Sequence, residues 1–323
     1  MGGEAALPVR APRELPTAGG GRWPTGAGAM PPRRASTRGV STALGHPRVH
    51  YRRTDSTNDR ARALAIAGAP HGTLVTASEQ TAGRGRQGRS WSAPPGSALL
   101  ASLVLRSSPR LLPLIAAVAV CDVAGDEAMI KWPNDIVLVR PPGRPGAPDA
   151  DRDADAAAGR NAGAGRDTAA GRDTDAAAGA GAGGGLAKLA GILAEGRPQD
   201  GWAVLGIGVN VAVRLEELPG ELRDGAATLG EAPAQVEPTL ARLLTALARR
   251  LAEPAQTVLD AYRARDALRG RELTWWAHGP EGRVGGRGRA EGIDGEGRLV
   301  VALAGGGGRA HAALDAGEVH LRV

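Results

Sequence analysis

Apolar and polar positions alternate along the chain in ordered segments, which are separated by stretches without any period. From Val49 to Val139, runs of Leu, Val, Ile and Ala are interrupted by turn residues, as in the helices and strands of an α/β domain. Residues 1–45 show no helical or strand period, and residues 141–185 contain only Pro, Gly, Arg, Ala, Asp, Asn and Thr. Since such segments cannot bury a core, we predict that both are disordered.

The first half of the ordered chain predicts two helices, two strands and a hairpin. A helix in DSTNDRARALAIAGAP begins at Ser56 or Thr57, which can cap it, and ends at Gly68. Strands are predicted over Thr73–Gln80 and Ser97–Arg106, the second with an apolar face. RLLPLIAAVAVCDVAG then predicts a buried helix, and AMIKWPNDIVLV predicts a strand, a Pro-Asn-Asp turn and a strand.

The second half predicts a hairpin, two helices and a small β domain. LAKLAGILAE and AVLGIGVNVAV are suited to one hairpin, and helices follow from Pro238 to about Ala252 and around Ala255 to Asp266. From Arg271 onward, short strands alternate with Gly-rich turns, which indicates an all-β barrel of about 50 residues. We therefore predict a catalytic domain over residues 46–268, interrupted by the disordered insert, and a C-terminal domain over residues 269–323.

Composition and charge narrow the class of protein only in part. The 323 residues carry a net charge of +6, which fits either a polyanionic ligand or a general excess of arginine, and the lack of a Lys/Arg block favours the second. The single cysteine, Cys121, lies in an apolar run, so we expect a core residue and a reducing, cytoplasmic location. The N-terminus is unlike a signal peptide, and no stretch approaches the ~20 apolar residues that span a bilayer, so we predict no membrane contact.

The segment TAGRGRQGRSW, from Thr81 to Trp91, combines three glycines with three arginines between two predicted strands. Gly83, Gly85 and Gly88 match G-x-G-x-x-G, but Arg-Ser-Trp and Pro-Pro follow where a dinucleotide-binding loop must open a helix. The segment is also shorter than the Arg-Gly repeats that bind RNA. Two interpretations remain: a glycine loop that folds over an anionic ligand and binds it through arginines, or a surface turn with solvated arginines.

Three further motifs hold polar residues that a simple core would not need. KWPND places Lys131, Asn134 and Asp135 at a hairpin tip, although Asn-Asp after Pro is also common in turns. In LAKLAGILAE, Lys188 falls in period with Ala190, Ile192 and Ala194, and it requires an anionic partner unless it reaches solvent. Small residues and one amide offer space for a ligand against the sheet: Gly191, Gly206, Gly208 and Asn210.

These motifs, taken together and in this order, closely resemble the biotin–protein ligases, also called biotin–[acetyl-CoA-carboxylase] ligases. The matching stretches are T-D-S-T-N, E-Q-T-A-G-R-G-R-Q-G-R-S-W, K-W-P-N-D, K-L-A-G-I-L and G-I-G-V-N. The resemblance implies an α/β (α+β) fold, with a mixed-sheet catalytic domain like that of class II tRNA synthetases and a C-terminal SH3-like β-barrel. It also implies that biotin reacts with Mg-ATP to biotinyl-5′-AMP, from which a lysine of a biotin carboxyl carrier domain takes the biotin and releases AMP.

The resemblance also implies roles for individual residues, with ATP, Mg²⁺ and biotin as the bound species. Lys188 and Arg86 are the expected electrostatic catalysts, and Asp135 is the expected Mg²⁺ ligand. The expected biotin-binding residues are Ser56, Thr57, Asn58, Gln80, Gly83, Arg84, Gly85, Arg86, Trp91 and Lys188. The expected ATP-binding residues are Arg86, Arg89, Lys131, Asn134, Asp135, Lys188, Gly191, Gly206, Gly208 and Asn210.

Two departures from the family and two alternative functions accompany this interpretation. Many bacterial members begin with a DNA-binding helix-turn-helix that residues 1–45 cannot form, so we predict a ligase that binds no DNA. The 45-residue insert replaces a tight turn, which the fold should tolerate because loop closure costs little more as loops lengthen.

The alternative functions are those of a lipoate–protein ligase or octanoyltransferase and of a basic nucleic-acid-binding regulator. The expected partner is the carrier domain of acetyl-CoA or another acyl-CoA carboxylase, and the expected state is a monomer or a homodimer.

Overall fold

The described part of the chain begins at Leu44, shortly before the first strand of the structure. The computed structural model describes residues 44–107, 109–139, 185–197, 201–279, 282–303, 310–315 and 319–322, all within the compact unit Thr42–Val323. Apart from Leu44, Gly45 and Gly185, the two stretches predicted to be disordered lie outside the described residues. Gly45 already belongs to the fold, because its N–H donates to the Gly72 carbonyl at 2.8 Å.

Strands and helices follow one another largely in the predicted order. The strands are β1 (Arg48–Tyr51), β2 (Leu74–Ala77), β3 (Gly83–Arg84), β4 (Ser90–Trp91), β5 (Ala98–Leu105), β6 (Ala128–Lys131), β7 (Asp135–Val139), β8 (Leu186–Arg197), β9 (Trp202–Asn210), β10 (Glu272–Gly279), β11 (Gly282–Ile293), β12 (Leu299–Leu303), β13 (His311–Leu314) and β14 (Val319–Arg322). The α-helices are α1 (Thr57–Ile66), α2 (Leu112–Ala124), α3 (Gly220–Arg223), α4 (Val236–Ala252) and α5 (Ala255–Arg263). The strand predicted over Thr73–Gln80 is therefore shorter than expected. The elements that were not predicted are β1, β3, β4, α3 and β13.

A seven-stranded mixed sheet forms the centre of the larger part, in the order β1-β2-β5-β9-β8-β7-β6. β1 and β2 are parallel, and the other neighbours are antiparallel, which confirms the mixed α/β class. Ser56 caps α1 as predicted, because its side chain accepts a hydrogen bond from the Asp59 N–H. Helix α1 packs against β5, β9 and β2. Near its start, Asn58 also hydrogen-bonds Glu195 of β8.

Helices α2 and α4 pack on one face of this sheet, and α5 packs against α2, so that the three helices bury the main apolar cluster. Pro113 lies in the first turn of α2, and Gly125 ends this helix with a φ of 98°, both as the sequence predicts. Cys121 is fully buried in α2, and burial raises the pKa of its thiol to about 12, which confirms a core role. Among the described helices, none is long and apolar enough to cross a membrane.

A β-bulge in β8 changes which side chains share a face. β7 pairs Ile136 with Ala190 and the next residue, Val137, with Lys188, so Leu189 is the extra residue. Ala190 and Ile192 belong to the helix-covered cluster, whereas the Lys188 side chain lies beside Gly191 on the opposite face. The expected alternation of Lys188 with Ala190, Ile192 and Ala194 is therefore wrong, because a bulge shifts the period by one residue.

The C-terminal region forms a separate five-stranded antiparallel sheet in the order β13-β12-β11-β10-β14. The indole N–H of Trp132, in the turn between β6 and β7, donates to the Gly297 carbonyl at 3.0 Å. Gly297 itself has a φ of 78° and sits against Leu111 and Leu114 at the start of the buried helix. The KWPND turn and the C-terminal sheet are thus joined by a buried contact.

Candidate active site

Two adjoining cavities open on the face of the large sheet that α2, α4 and α5 leave uncovered. The wider one has a volume of about 900 Å³ and is walled by the glycine–arginine loop, residues 83–91, and by the tips of the KWPND turn and β8. The narrower one reaches the start of α1 and the floor of β8 and β9. Their combined size falls in the range of small-molecule sites.

Most residues predicted to bind biotin line the narrower cavity. They are Ser56, Thr57, Asn58, Gln80, Arg84, Gly85 and Trp91, and they are joined there by Gly191, Gly206 and Gly208 from the predicted ATP set. Gly83, Arg86 and Arg89 line the wider cavity, and Asn134 lines both. Lys131, Asp135, Lys188 and Asn210 are lining residues of neither cavity.

A hydrogen-bond network fixes the polar end of the narrower cavity. Gln80 Oε1 accepts from the Thr57 N–H at 2.7 Å and from the Thr57 hydroxyl at 3.0 Å. The Ser102 hydroxyl donates to Asn58 Oδ1 at 2.6 Å and lies 2.9 Å from Thr57 Oγ1. Because its oxygen is occupied, the Gln80 amide keeps its NH₂ group as a donor for a ligand.

Glycines in β8 and β9 make room for the Trp91 ring. A Cβ at Gly208 would lie 2.7 Å from Trp91 Cε2, and one at Gly191 would lie 3.1 Å from Trp91 Cζ3. At Gly206 a Cβ would collide with the Asn58 amide. The two glycines of GIGVN thus lie beneath Asn58 and Trp91, which both belong to the predicted biotin-binding set.

Trp91 is buried, and its indole N–H has no hydrogen-bond partner among the described residues. The Lys188 ammonium lies 5.6 Å from the centre of the Trp91 ring, within reach of a cation–π contact. The ring therefore lies close both to the glycines of the cavity floor and to the Lys188 ammonium.

A chain of polar contacts links the loop arginine Arg86 to the strand lysine Lys188. Arg86 Nη1 donates to Asn134 Oδ1 at 3.0 Å, Asn134 Nδ2 donates to Asp135 Oδ1 at 3.2 Å, and Lys188 Nζ lies 3.0 Å from Asp135 Oδ1. Burial alone would raise the pKa of the Asp135 carboxyl, but Lys188, Lys131 and Arg89 outweigh it and hold that pKa below its ordinary value. Asp135 is therefore an anion that already has cationic neighbours.

Asn210 stabilises the backbone at the start of β8. Its side-chain amide donates to the Ala227 carbonyl at 2.9 Å and to the Lys188 carbonyl at 3.4 Å. The Lys188 backbone is further bound by residues 225 and 227, through Lys188 N to Gly225 O and Ala227 N to Lys188 O. Asn210 therefore holds the bulged start of β8 in place.

Two residues of the site were not predicted from the sequence. Ser102 is fully buried on β5 and hydrogen-bonds Asn58, and Glu195 near the end of β8 accepts hydrogen bonds from Asn58 and Arg84. A lone hydroxyl in the apolar run ALLASLVL was a usable signal for Ser102. Glu195 gave no such signal, since a carboxylate near the end of a strand usually faces solvent.

Fold and site together define a ligase class: a mixed sheet that carries a glycine–arginine loop, a pocket with an aromatic wall and a lysine–aspartate pair. Sequence comparison supports this class over both parts of the chain. The Biotin/lipoate A/B protein ligase family matches residues 50–147, and the Biotin protein ligase C terminal domain matches residues 280–322. The biotin–[acetyl-CoA-carboxylase] ligase of Mycobacterium tuberculosis is 31% identical over 287 residues, which cover 83% of this chain and 87% of that protein. The chain belongs to the biotin–protein ligases.

Other relatives match over shorter stretches. The bifunctional ligase/repressor BirA of Bacillus subtilis is 31% identical over 201 residues, so the match spans 58% of this chain and about half, 48%, of that relative. Among solved structures, the biotin protein ligase from Aquifex aeolicus in complex with biotin and ATP aligns with a TM-score of 0.59 and 21% identity, over 86% of this chain and 99% of that chain. This structural likeness supports the fold.

Proposed function

We propose that this chain activates biotin with ATP to biotinyl-5′-AMP and then transfers biotin to a lysine of a biotin carboxyl carrier domain. The observation that carries the proposal is the chain of contacts from Arg86 through Asn134 and Asp135 to Lys188, beside a pocket that Trp91 closes. A carboxylate and a phosphate repel each other, so a site that joins them must supply cations from both sides.

The narrower cavity is the proposed biotin pocket. Gln80 Nε2, which has no hydrogen-bond partner among the described residues, is the proposed amide donor for the ureido oxygen, and Ser56 and Thr57 line the same cavity. Trp91, Gly191 and Gly208 form an apolar wall and floor for the ring and the chain of biotin. This arrangement matches a ligand that is polar at one end, apolar in the middle and anionic at the other end.

Activation joins the biotin carboxylate oxygen to the α-phosphorus of ATP and breaks the bond to the bridging oxygen of pyrophosphate, which leaves with the electron pair. Lys188 and Arg86 are the groups that neutralise the carboxylate and the α-phosphate as they approach. In the second step the acceptor lysine attacks the acyl carbon, loses a proton, and AMP leaves. The glycine–arginine loop excludes water from the mixed anhydride between these steps.

Asp135 is the residue that would hold Mg²⁺. The described residues contain no group of three or more His, Cys, Asp or Glu side chains that could cage a metal, and Mg²⁺ bound to a nucleotide needs only one or two carboxylates beside phosphate oxygens and water. Bound there, Mg²⁺ would neutralise charge on the phosphates. Asp135 fits because its carboxylate is ionised and accepts from Asn134, which lines both cavities, and Mg²⁺ would share this carboxylate with Lys188.

Several finer features belong to the same proposal. The large sheet corresponds to the class II tRNA synthetase-like catalytic domain, and the five-stranded C-terminal sheet corresponds to an SH3-like barrel, with domain limits of 46–268 and 269–323. The acceptor is the carrier domain of an acyl-CoA carboxylase, the protein is a monomer or a homodimer, and the reaction takes place in the cytoplasm, where a lone buried cysteine is in keeping. The repressor activity named for the Bacillus relative is not included, because the match spans 48% of that protein.

ATP–pyrophosphate exchange tests the function directly. Exchange of labelled pyrophosphate into ATP should appear with biotin and stay at background without it or with lipoate or octanoate in its place. Exchange that ignores biotin, or a preference for lipoate, would reject the proposal.

A further inference from the structure

Glu195 lies where the first helix, the glycine–arginine loop and β8 meet. One carboxylate oxygen accepts from Asn58 Nδ2 at 2.9 Å, and the other accepts from Arg62 at 2.8 Å and from Arg84 at 3.0 Å. The side chain is 23% exposed, so these contacts are only partly screened by water. No role in binding or catalysis has been assigned to this carboxylate so far.

The first of these contacts orients Asn58. Ser102 donates to Asn58 Oδ1 at 2.6 Å, and Glu195 accepts from Nδ2 at 2.9 Å, so a carboxylate on one side and a hydroxyl donor on the other define which way the amide points. The Asn58 amide fills the space that a side chain at Gly206 would occupy. Asn58 is thereby fixed in the wall of the biotin pocket.

The contact to Arg84 fixes the base of the glycine–arginine loop. Arg84 also binds Asp59 at 2.6 Å, so its guanidinium bridges α1 and β8. Arg84 pairs with Ser90, and Gly83 pairs with Trp91, in the small sheet of β3 and β4 that closes the loop. Contacts that fix Arg84 therefore also fix the paired strands β3 and β4, from which residues 85–89 extend over the cavity.

We infer that Glu195 is a positioning residue that keeps the loop closed over biotinyl-AMP by anchoring Arg84 while it orients Asn58. The inference rests on the proposed function. It concerns retention of the intermediate, whereas Lys188 and Arg86 act on its formation. Glu195 does not touch the reacting atoms, and its removal should act mainly on how long the adenylate stays bound.

The test measures release of labelled biotinyl-AMP from the full-length enzyme without an acceptor, together with KM for biotin and kcat in pyrophosphate exchange. Glu195→Ala should speed release about tenfold and raise KM for biotin, with kcat nearly unchanged, because one charge-assisted contact to the loop is lost. Glu195→Gln should recover part of the loss, because its amide oxygen still accepts a hydrogen bond. In the rate of biotinyl-AMP release, Arg84→Ala should match Glu195→Ala, and the double variant should add little.

Arg62→Ala is the matched control, because it removes an ion pair to the same Glu195 oxygen without touching the loop. It should release the intermediate within about twofold of the parent. Parental release in Glu195→Gln and Arg84→Ala, or equal release in Arg62→Ala and Glu195→Ala, overturns the inference even if Glu195→Ala fails to fold. A parent without biotin-dependent exchange overturns the proposed function, and the inference with it, so the two failures are distinct.

Discussion

The two faces of the large sheet are built from the same strands but serve different ends. On β9, Ala203, Leu205, Ile207 and Val209 point into the cluster beneath α2, α4 and α5, while the glycines between them face the cavities. On β5, Leu99, Leu103 and Leu105 lie in the helix-covered cluster, whereas Ser102 lies on the other face together with Leu100 and Val104. The helix-covered face is filled by large aliphatic side chains. The opposite, open face packs Val75, Val104, Trp202 and Val204 against α1 and is kept thin where the glycines line the cavities.

This difference separates stability from binding within single strands. Burial of aliphatic side chains stabilises the fold in proportion to the area removed from water, and the helix-covered face supplies most of that area. Gly206 and Gly208 on the open face bury no such side chain, because a side chain at either position would occupy the space of Asn58 or Trp91. Substitutions on the helix-covered face should therefore lower the free energy of unfolding, and substitutions on the open face should change pyrophosphate exchange or KM for biotin.

The largest effect is expected for Lys188→Ala on the open face. Removal of the ammonium should lower biotin-dependent pyrophosphate exchange by on the order of a thousandfold, because a preorganised charge at the reacting phosphate is lost. Arg52→Ala is the control, because it removes a cation from an exposed position. This variant should leave exchange unchanged. Equal rates for the two variants would show that the site lies elsewhere.

Leu205→Ala tests the helix-covered face of β9. Because Leu205 is fully buried in the main cluster, its truncation should lower the free energy of unfolding by about 3 kcal/mol, as a cavity remains. Chemical denaturation measures this loss, and exchange activity of the folded fraction should stay within about twofold of the parent. A variant with full stability but no activity would contradict the division between the faces.

Gly208→Ala tests the open face of the same strand. The added methyl group would lie 2.7 Å from the Trp91 ring and must displace it, so we expect about a tenfold rise in KM for biotin, near the loss of one good contact. Gly220→Ala is the control, since nothing lies within 4 Å of its added Cβ. An unchanged KM in Gly208→Ala would mean that Trp91 does not form the pocket wall.

Asp266→Asn tests how much a buried carboxylate lowers the stability of the fold. Burial raises the pKa of the Asp266 carboxyl, one oxygen of which accepts from the Leu268 N–H while the other has no partner among the described residues. A raised folded-state pKa means that stability is present below the unfolded pKa and is lost as pH rises through the folded one. The variant should therefore equal the parent near pH 4 and exceed it by on the order of 1 kcal/mol at pH 7 in denaturation experiments. A less stable variant at pH 7 would contradict this.

Sequence patterns predicted the elements well and the shape of the site in part. The cap at Ser56, the end of α2 at Gly125 and the turn at Asn134 follow from local chemistry, which residues near in sequence determine. The bulge at Leu189 was not predictable, because it depends on pairing with β7 and on residues 225–227, which are distant in sequence. Glu195 was missed for the same reason, since its partners on α1 and in the loop are far away along the chain.

The buried position of Cys121 has a practical consequence for spectroscopy. It is the only cysteine of the chain, it is fully buried, and a thiol with a pKa of about 12 reacts poorly with maleimides and iodoacetamides at neutral pH. The native protein should therefore take up very little thiol-reactive label at Cys121. A single cysteine at the exposed Ser92, directly after the loop, would carry one fluorophore and report loop movement in real time without any other substitution.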